Sequence, residues 1–238
     1  MLEIGIIIGL TLLAGLAMPL GAFVGSYQHL RPNWLENELR HGVAAFGGGA
    51  LLSAVALVLV PEGTAHLSLW SAVLCFCAGG LTFMALDMLL YKLNTPASQL
   101  AAMLSDFIPE SLALGAALAL GGIGSALLLA VLMALQNMPE GFNAYRELKA
   151  AGRYSGKRII ITFAVMAMLG PVAGLSGYVW LADSPMLVAG IMLFAAGGIL
   201  YSVFQDIAPQ AVLDKHWAPP MGAVLGFVLG VAGHMLTQ

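Results

Sequence analysis

Residues 101–145 read AAMLSDFIPESLALGAALALGGIGSALLLAVLMALQNMPEGFNAY. The stretch holds two long apolar runs, near 99–121 and 124–145, each of about the 20 residues a helix needs to cross a bilayer's hydrocarbon core. Both runs are continuous and lack the period-two alternation of a membrane β-barrel, so they read as helices. Each carries the same motif in its interior. The first has Asp106-Phe107-Ile108-Pro109-Glu110 and the second Gln136-Asn137-Met138-Pro139-Glu140.

The rest of the chain has the same apolar character. Its 238 residues are 60% hydrophobic and only 9% charged, with a mean hydropathy of +0.92. A soluble domain carries roughly a quarter charged residues, and no soluble core of this size would hide so much apolar sequence. The expected fold is an all-α integral membrane bundle, a single transmembrane domain over 1–238. Its eight spans fall near 4–27, 43–63, 68–91, 99–121, 124–145, 159–181, 186–210 and 218–236. The longest polar connections run from Gln28 to Arg40 and from Arg146 to Arg158. The first span has no basic flank and no small-residue cleavage site, so it reads as a permanent span rather than a signal peptide. A net charge of −3 offers nothing to nucleic acid. Cys75 and Cys77 are two apart on one helix and point away from each other, which disfavours a disulfide.

Basic residues set the orientation. Arg31, Arg40, Lys92, Arg146, Lys149, Arg153, Lys157, Arg158 and Lys215 all fall in the first, third, fifth and seventh loops. These loops share one side, expected to be cytoplasmic. Both termini are then extracytoplasmic, and the expected location is the cell (inner) membrane.

The acids inside spans carry the chemistry. A charge at the bilayer centre costs at least about 2.5–3.5 kcal/mol on insertion scales, so it needs a partner, a cavity or a bound cation. Residues four apart share a helix face, so Asp106 with Glu110, and Gln136 with Glu140, can grip one ion. Each proline withholds a donor from the carbonyl four residues back, that of Ser105 or Leu135. A freed carbonyl at this depth must be satisfied inside the protein or by a water-filled path. Two such helices facing each other would supply three carboxylates and one amide.

A fainter repeat joins the ends of the chain. Pro19, Gly25 and Tyr27 in the first span echo Pro171, Gly177 and Tyr178 in the sixth. Phe46 and Pro61-Glu62 in the second echo Phe194 and Pro209-Gln210 in the seventh. Repeats offset by five spans are inverted in the membrane, a pattern of transporters with midplane sites. Gly222, Gly226 and Gly230 give the last span a face for close packing, either within the chain or across a dimer.

With these motifs the chain resembles the ZIP (Zrt/Irt-like protein) family of divalent metal transporters, as a divergent bacterial-type member, over essentially its whole length. The paired Pro-Glu helices and the run Phe194-Ala-Ala-Gly-Gly-Ile-Leu-Tyr201 carry the likeness. The resemblance implies a 3+2+3 bundle with an inverted repeat of spans 1–3 and 6–8, a metal site between spans four and five, and a homodimer. It implies metal ligation by Asp106, Glu110, Gln136, Asn137 and Glu140. The family commonly has His and Asn where this chain has Asp106 and Phe107. Many members carry Glu where this chain has Gly170, so a second metal position is expected to be weakened or lost. His29, His41, His66, His216 and His234 all lie away from the expected site.

An all-oxygen ligand set is harder than a mixed one and favours Mn²⁺, Fe²⁺ or even Mg²⁺ relative to zinc. The transported ion is expected to be Zn²⁺, Fe²⁺, Mn²⁺ or Cd²⁺, with selectivity shifted away from zinc and uptake directed into the cytoplasm. No resident cofactor is expected. Glu62 is placed at the outer entrance, and Gln205 with Asp206 at the inner exit. Asp87 is expected to pair with Lys92 or to make a polar contact. The alternatives are a divalent cation channel or a proton-coupled transporter of another substrate. An enzyme is not expected, since no His-Glu-x-x-His pair is present and no serine and histidine share a depth.

Overall fold

The computed structural model of the chain describes residues 2–27, 33–93, 96–152, 154–181, 184–212 and 217–237. Side chains at 33–40, 93, 96–99, 102, 120–121, 181, 210 and 237 are not described. Expectations placed on Gln28, His29, Arg31, Arg153, Lys215 and His216, and on the Arg40 and Gln210 side chains, lie outside the described residues.

Every regular element among the described residues is helical. Helix α1 is Leu2–Ser26. Helix α2 runs through Asn33–Ala54, a π-helical turn Val55–Leu59, and Val60–Ala65. Helix α3 is Leu69–Leu93. Helix α4 covers 96–121 and α5 covers Gly122–Ala150. Helix α6 joins Gly156–Ala167 to Leu169–Leu181. Helix α7 joins Pro185–Ser202 to a second π-helical turn, Val203–Ile207, and then to Ala208–Gln210. Helix α8 is Ala218–Thr237. Seven of these are long and apolar enough to cross a membrane. Among the described residues the eighth, α4, lies outside that set; it is the helix that carries Asp106 and Glu110.

Two boundaries depart clearly from expectation. Helix α2 starts at Asn33 rather than near 43, and α5 continues to Ala150 rather than stopping near 145. Hydropathy marks where a helix leaves hydrocarbon. Glu, Leu, Arg, Lys and Ala continue the helix beyond that point because their intrinsic propensity is high. The fifth loop therefore shrinks to a short turn, with Gly152 at φ +71°. The Ser155 hydroxyl accepts from the Arg158 backbone N–H at 3.3 Å and caps α6. Helices α4 and α5 are joined through a single residue, Gly122, at φ 79° and ψ −175°. Only glycine adopts that conformation without strain.

Small residues set the packing, because they let helix backbones approach directly. A Cβ at Gly21 would overlap the Met138 carbonyl, and one at Gly141 the Met18 carbonyl, locking α1 to α5. Gly115 abuts Gly174 and Gly177 abuts Leu112, locking α4 to α6. Gly49 meets Ala223 and Gly226 meets Phe46, joining α2 to α8. Gly79 meets Phe194 and Gly197 meets Phe76, joining α3 to α7. The α8 glycine face is thus used inside the chain, with Gly222 against the Gly42 carbonyl and Gly230 against Ser53.

Burial places α4 and α5 at the centre. Leu114, Ala117, Leu129, Leu132 and Met133 are at most 1% exposed. Helices α3 and α8 form the periphery, with only 11% and 17% of their apolar windows buried, against 67% for α2 and 61% for α7.

Candidate functional site

Pro109 and Pro139 both lie inside helical backbone, one in each central helix. The residues around them are held deep in the bundle. Glu110 is 2% exposed, Gln136 3% and Asn137 1%. Asp106 and Glu140 are half-buried.

On α5 the four-residue spacing brings Gln136 and Glu140 together. The Gln136 amide Nε2 donates to Glu140 Oε2 at 3.0 Å. That bond orients the amide and leaves its carbonyl oxygen, Oε1, buried with no hydrogen-bond partner among the described residues. Glu110 Oε2 is in the same condition. Buried acceptors are nearly always satisfied, so these two bare oxygens, like Ser111 Oγ and Asn143 Oδ1 on the same helices, require an explanation.

The carboxylates sense one another. The charge of Asp106 acts on Glu110 and on Glu140, and Glu110 acts on Glu140. Asp206, on the π-helical turn of α7, acts on both Asp106 and Glu140. Among the described residues, no three His, Cys, Asp or Glu side chains form a finished metal-holding group. The acids are therefore within electrostatic reach without being drawn into a cage. Unbridged like charges repel, and a dication placed between them reverses the sign of that force.

Asn137 faces elsewhere. Its Nδ2 donates to the Ala14 carbonyl at 2.9 Å, clamping α1 onto α5. Neighbouring helix residues point about 100° apart, so Gln136 and Asn137 serve different neighbours. Phe107, 0% exposed, turns its ring toward α1 and α6. A Cβ at Gly170 would lie 2.6 Å from the ring's Cζ, and one at Gly15 would lie 2.8 Å away. The ring fills the space that side chains at those two positions would otherwise occupy.

The outlying residues have identifiable neighbours. Glu62, half-buried near the end of α2, accepts from Ser125 Oγ on α5 at 3.4 Å. Gln205 and Asp206 are exposed on α7. The charge of Asp87 acts on Asp206, and Asp87 makes a polar contact with α7: Tyr201 donates its hydroxyl to Asp87 Oδ2 at 3.1 Å. Cys75 and Cys77 are free thiols. Two participants escape a reading of the sequence. Ser202 donates to Asp106 Oδ1 at 3.3 Å, and Tyr201 lies beside it. The available signal was Ser202 four residues before Asp206, which gives α7 one polar face.

No protein-family model matches the chain, and no curated protein matches it.

Proposed function

We propose that this chain is a ZIP-like transporter that carries divalent cations across a membrane, with Asp106, Glu110, Gln136 and Glu140 as the cation ligands. The observation that carries the reading is the pair of bare buried oxygens, Glu110 Oε2 and Gln136 Oε1, beside two further carboxylates on proline-containing helices. Unpaired carboxylates at this depth are too costly to retain without a cationic partner, and a dication supplies it. Asn137 is assigned to helix clamping rather than ligation, on the strength of its bond to Ala14.

The helix pairings support a 3+2+3 bundle with an inverted repeat. Exchanging α1, α2 and α3 with α6, α7 and α8, and α4 with α5, turns the α1–α5 pair into α6–α4 and the α2–α8 pair into α7–α3. The π-helical turns Val55–Leu59 and Val203–Ile207 exchange under the same operation, each followed closely by a proline, Pro61 or Pro209.

In this reading a cation is attracted at Glu62, held between α4 and α5, and released past Asp206 into the cytoplasm. Protonation of Asp106 or Glu110 lowers the negative charge and lets the ion leave. Motion of the unit α1–α3 with α6–α8 against α4 and α5 alternates access. The orientation follows the basic loops, which puts both termini outside an inner membrane, and the family likeness favours a homodimer. Oxygen-only ligation favours Mn²⁺ and Fe²⁺ over Zn²⁺ and Cd²⁺.

The test is uptake of each ion by proteoliposomes holding the purified protein. Glu110→Ala and Glu140→Ala should each abolish uptake and leave the detergent-solubilised protein folded. Uptake that survives both substitutions would remove the assignment.

A further inference from the structure

Hydroxyls on membrane helices ordinarily turn back on their own helix, donating to a carbonyl three or four residues earlier. This chain follows that habit. Thr11 donates to Ile7, Ser53 to Ala50, Ser105 to Ala101, Thr162 to Arg158 and Ser176 to Val172. Among the described residues, two helix serines instead reach a carboxylate on another helix. Ser125 donates to Glu62 and Ser202 to Asp106.

Ser202 lies at a particular place. It is the last residue of α7 before the π-helical turn, and Asp206 follows four residues later. It is 8% exposed, so water competes little for its hydroxyl. Helix α7 therefore presents two opposed influences to Asp106. The hydroxyl holds one carboxylate oxygen, while the Asp206 charge pushes on the same group. The hydroxyl thus restrains a side chain that the neighbouring charge would otherwise displace.

We propose that Ser202 is a positioning residue of the cation site, holding Asp106 in its ligating orientation through the Oδ1 hydrogen bond. The inference rests on the transport reading above. Ser202 does not touch the ion. It reduces the reordering that Asp106 must undergo when an ion arrives, so its effect falls on apparent affinity more than on maximal rate.

The test is Mn²⁺ uptake by proteoliposomes, with KM and maximal rate per folded protein measured separately for the wild type, S202A, S202C and S202T. S202A should raise KM roughly tenfold, the scale of one hydrogen bond to a charged group, with the maximal rate retained. S202C keeps the volume and replaces a good donor with a weak one, so it should share the defect even where S202A folds poorly. S202T keeps the hydroxyl and should restore KM. An unchanged KM in S202C, a loss of maximal rate without a change in KM, or a failure of S202T to restore KM overturns the assignment. If wild-type protein takes up Mn²⁺ and these variants match it, only the role of Ser202 falls. If wild-type protein takes up no divalent cation, the transport reading falls and the role of Ser202 falls with it.

Discussion

Gly170→Ala places a methyl group where Phe107 already is. The added carbon would lie 2.6 Å from the ring's Cζ, 3.3 Å from its Cε1 and 3.1 Å from the Thr11 carbonyl oxygen. Carbon atoms pack at about 3.5–4.0 Å, so the overlap is close to 1 Å. The ring cannot simply retreat, because it is wholly buried and its Cζ also faces Gly15. Overpacking of this kind costs about 1–3 kcal/mol. The damage reaches the site, because Phe107 is flanked by Asp106 and stands one helical turn from Glu110. Thermal unfolding in detergent should show the variant destabilised, with uptake falling further than the folded fraction alone explains. Phe107→Leu removes the atoms that clash, at the cost of a small cavity. In the double variant the alanine should therefore do much less harm than it does alone, with a coupling of about 1 kcal/mol or more. An alanine equally harmful with Phe or Leu at 107, or harmless in both, would refute the contact as the cause.

Gln136→Ala removes one proposed ligand and the 3.0 Å bond that orients Glu140. Mn²⁺ affinity should drop about tenfold or more, as ligand and outer-shell losses do, while the unfolding midpoint changes little. Asn137→Ala should do the reverse: it loses the bond to Ala14 and leaves a buried carbonyl unsatisfied, costing about 1–3 kcal/mol in stability with KM for Mn²⁺ near the wild-type value. Gly122→Ala forces a side chain into the φ 79° conformation, and a stability loss of about 1–3 kcal/mol should appear in the same unfolding assay. In competition uptake, Mn²⁺ and Fe²⁺ should outcompete Zn²⁺ and Cd²⁺, and strict zinc preference would remove the hard-ligand argument.

The helical membrane character was legible because it depends on run length and composition, both of which are local. The helix ends at Asn33 and Ala150 were not, because hydropathy reports where the solvent changes rather than where a backbone stops. At the site, the i, i+4 pairing of Gln136 with Glu140 followed directly from helix geometry. The direction of Asn137 did not. Two adjacent polar residues cannot both face one neighbour, and periodicity alone does not say which of them does. The fit of Phe107 against Gly15 and Gly170 joins three distant segments, and each is unremarkable in isolation. Ser202 escaped for a similar reason, since its importance lies in a carboxylate on another helix.

The two π-helical turns have a further consequence for how α2 and α7 are read. A π turn is one surplus residue wound into an α-helix, and each α-helical residue advances the helix by 100°. The residues before Val55 and those after Leu59 therefore keep different phases, as do those on either side of Val203–Ile207. The upstream halves are locked by glycine contacts, α2 to α8 and α7 to α3, and their rotation is settled there. Beyond the surplus residue each helix takes a rotation of its own, that of α2 set by Gly63 against Leu193, and the two turns differ in composition. The turn at 55–59 reads Val-Ala-Leu-Val-Leu, whereas that at 203–207 reads Val-Phe-Gln-Asp-Ile. One backbone device thus precedes a tip that carries Glu62 on one helix and itself holds the acid, Asp206, on the other. Deleting a single residue from either turn would rewind it and swing that tip by about 100°, carrying Glu62 or Pro209 away from its present neighbours.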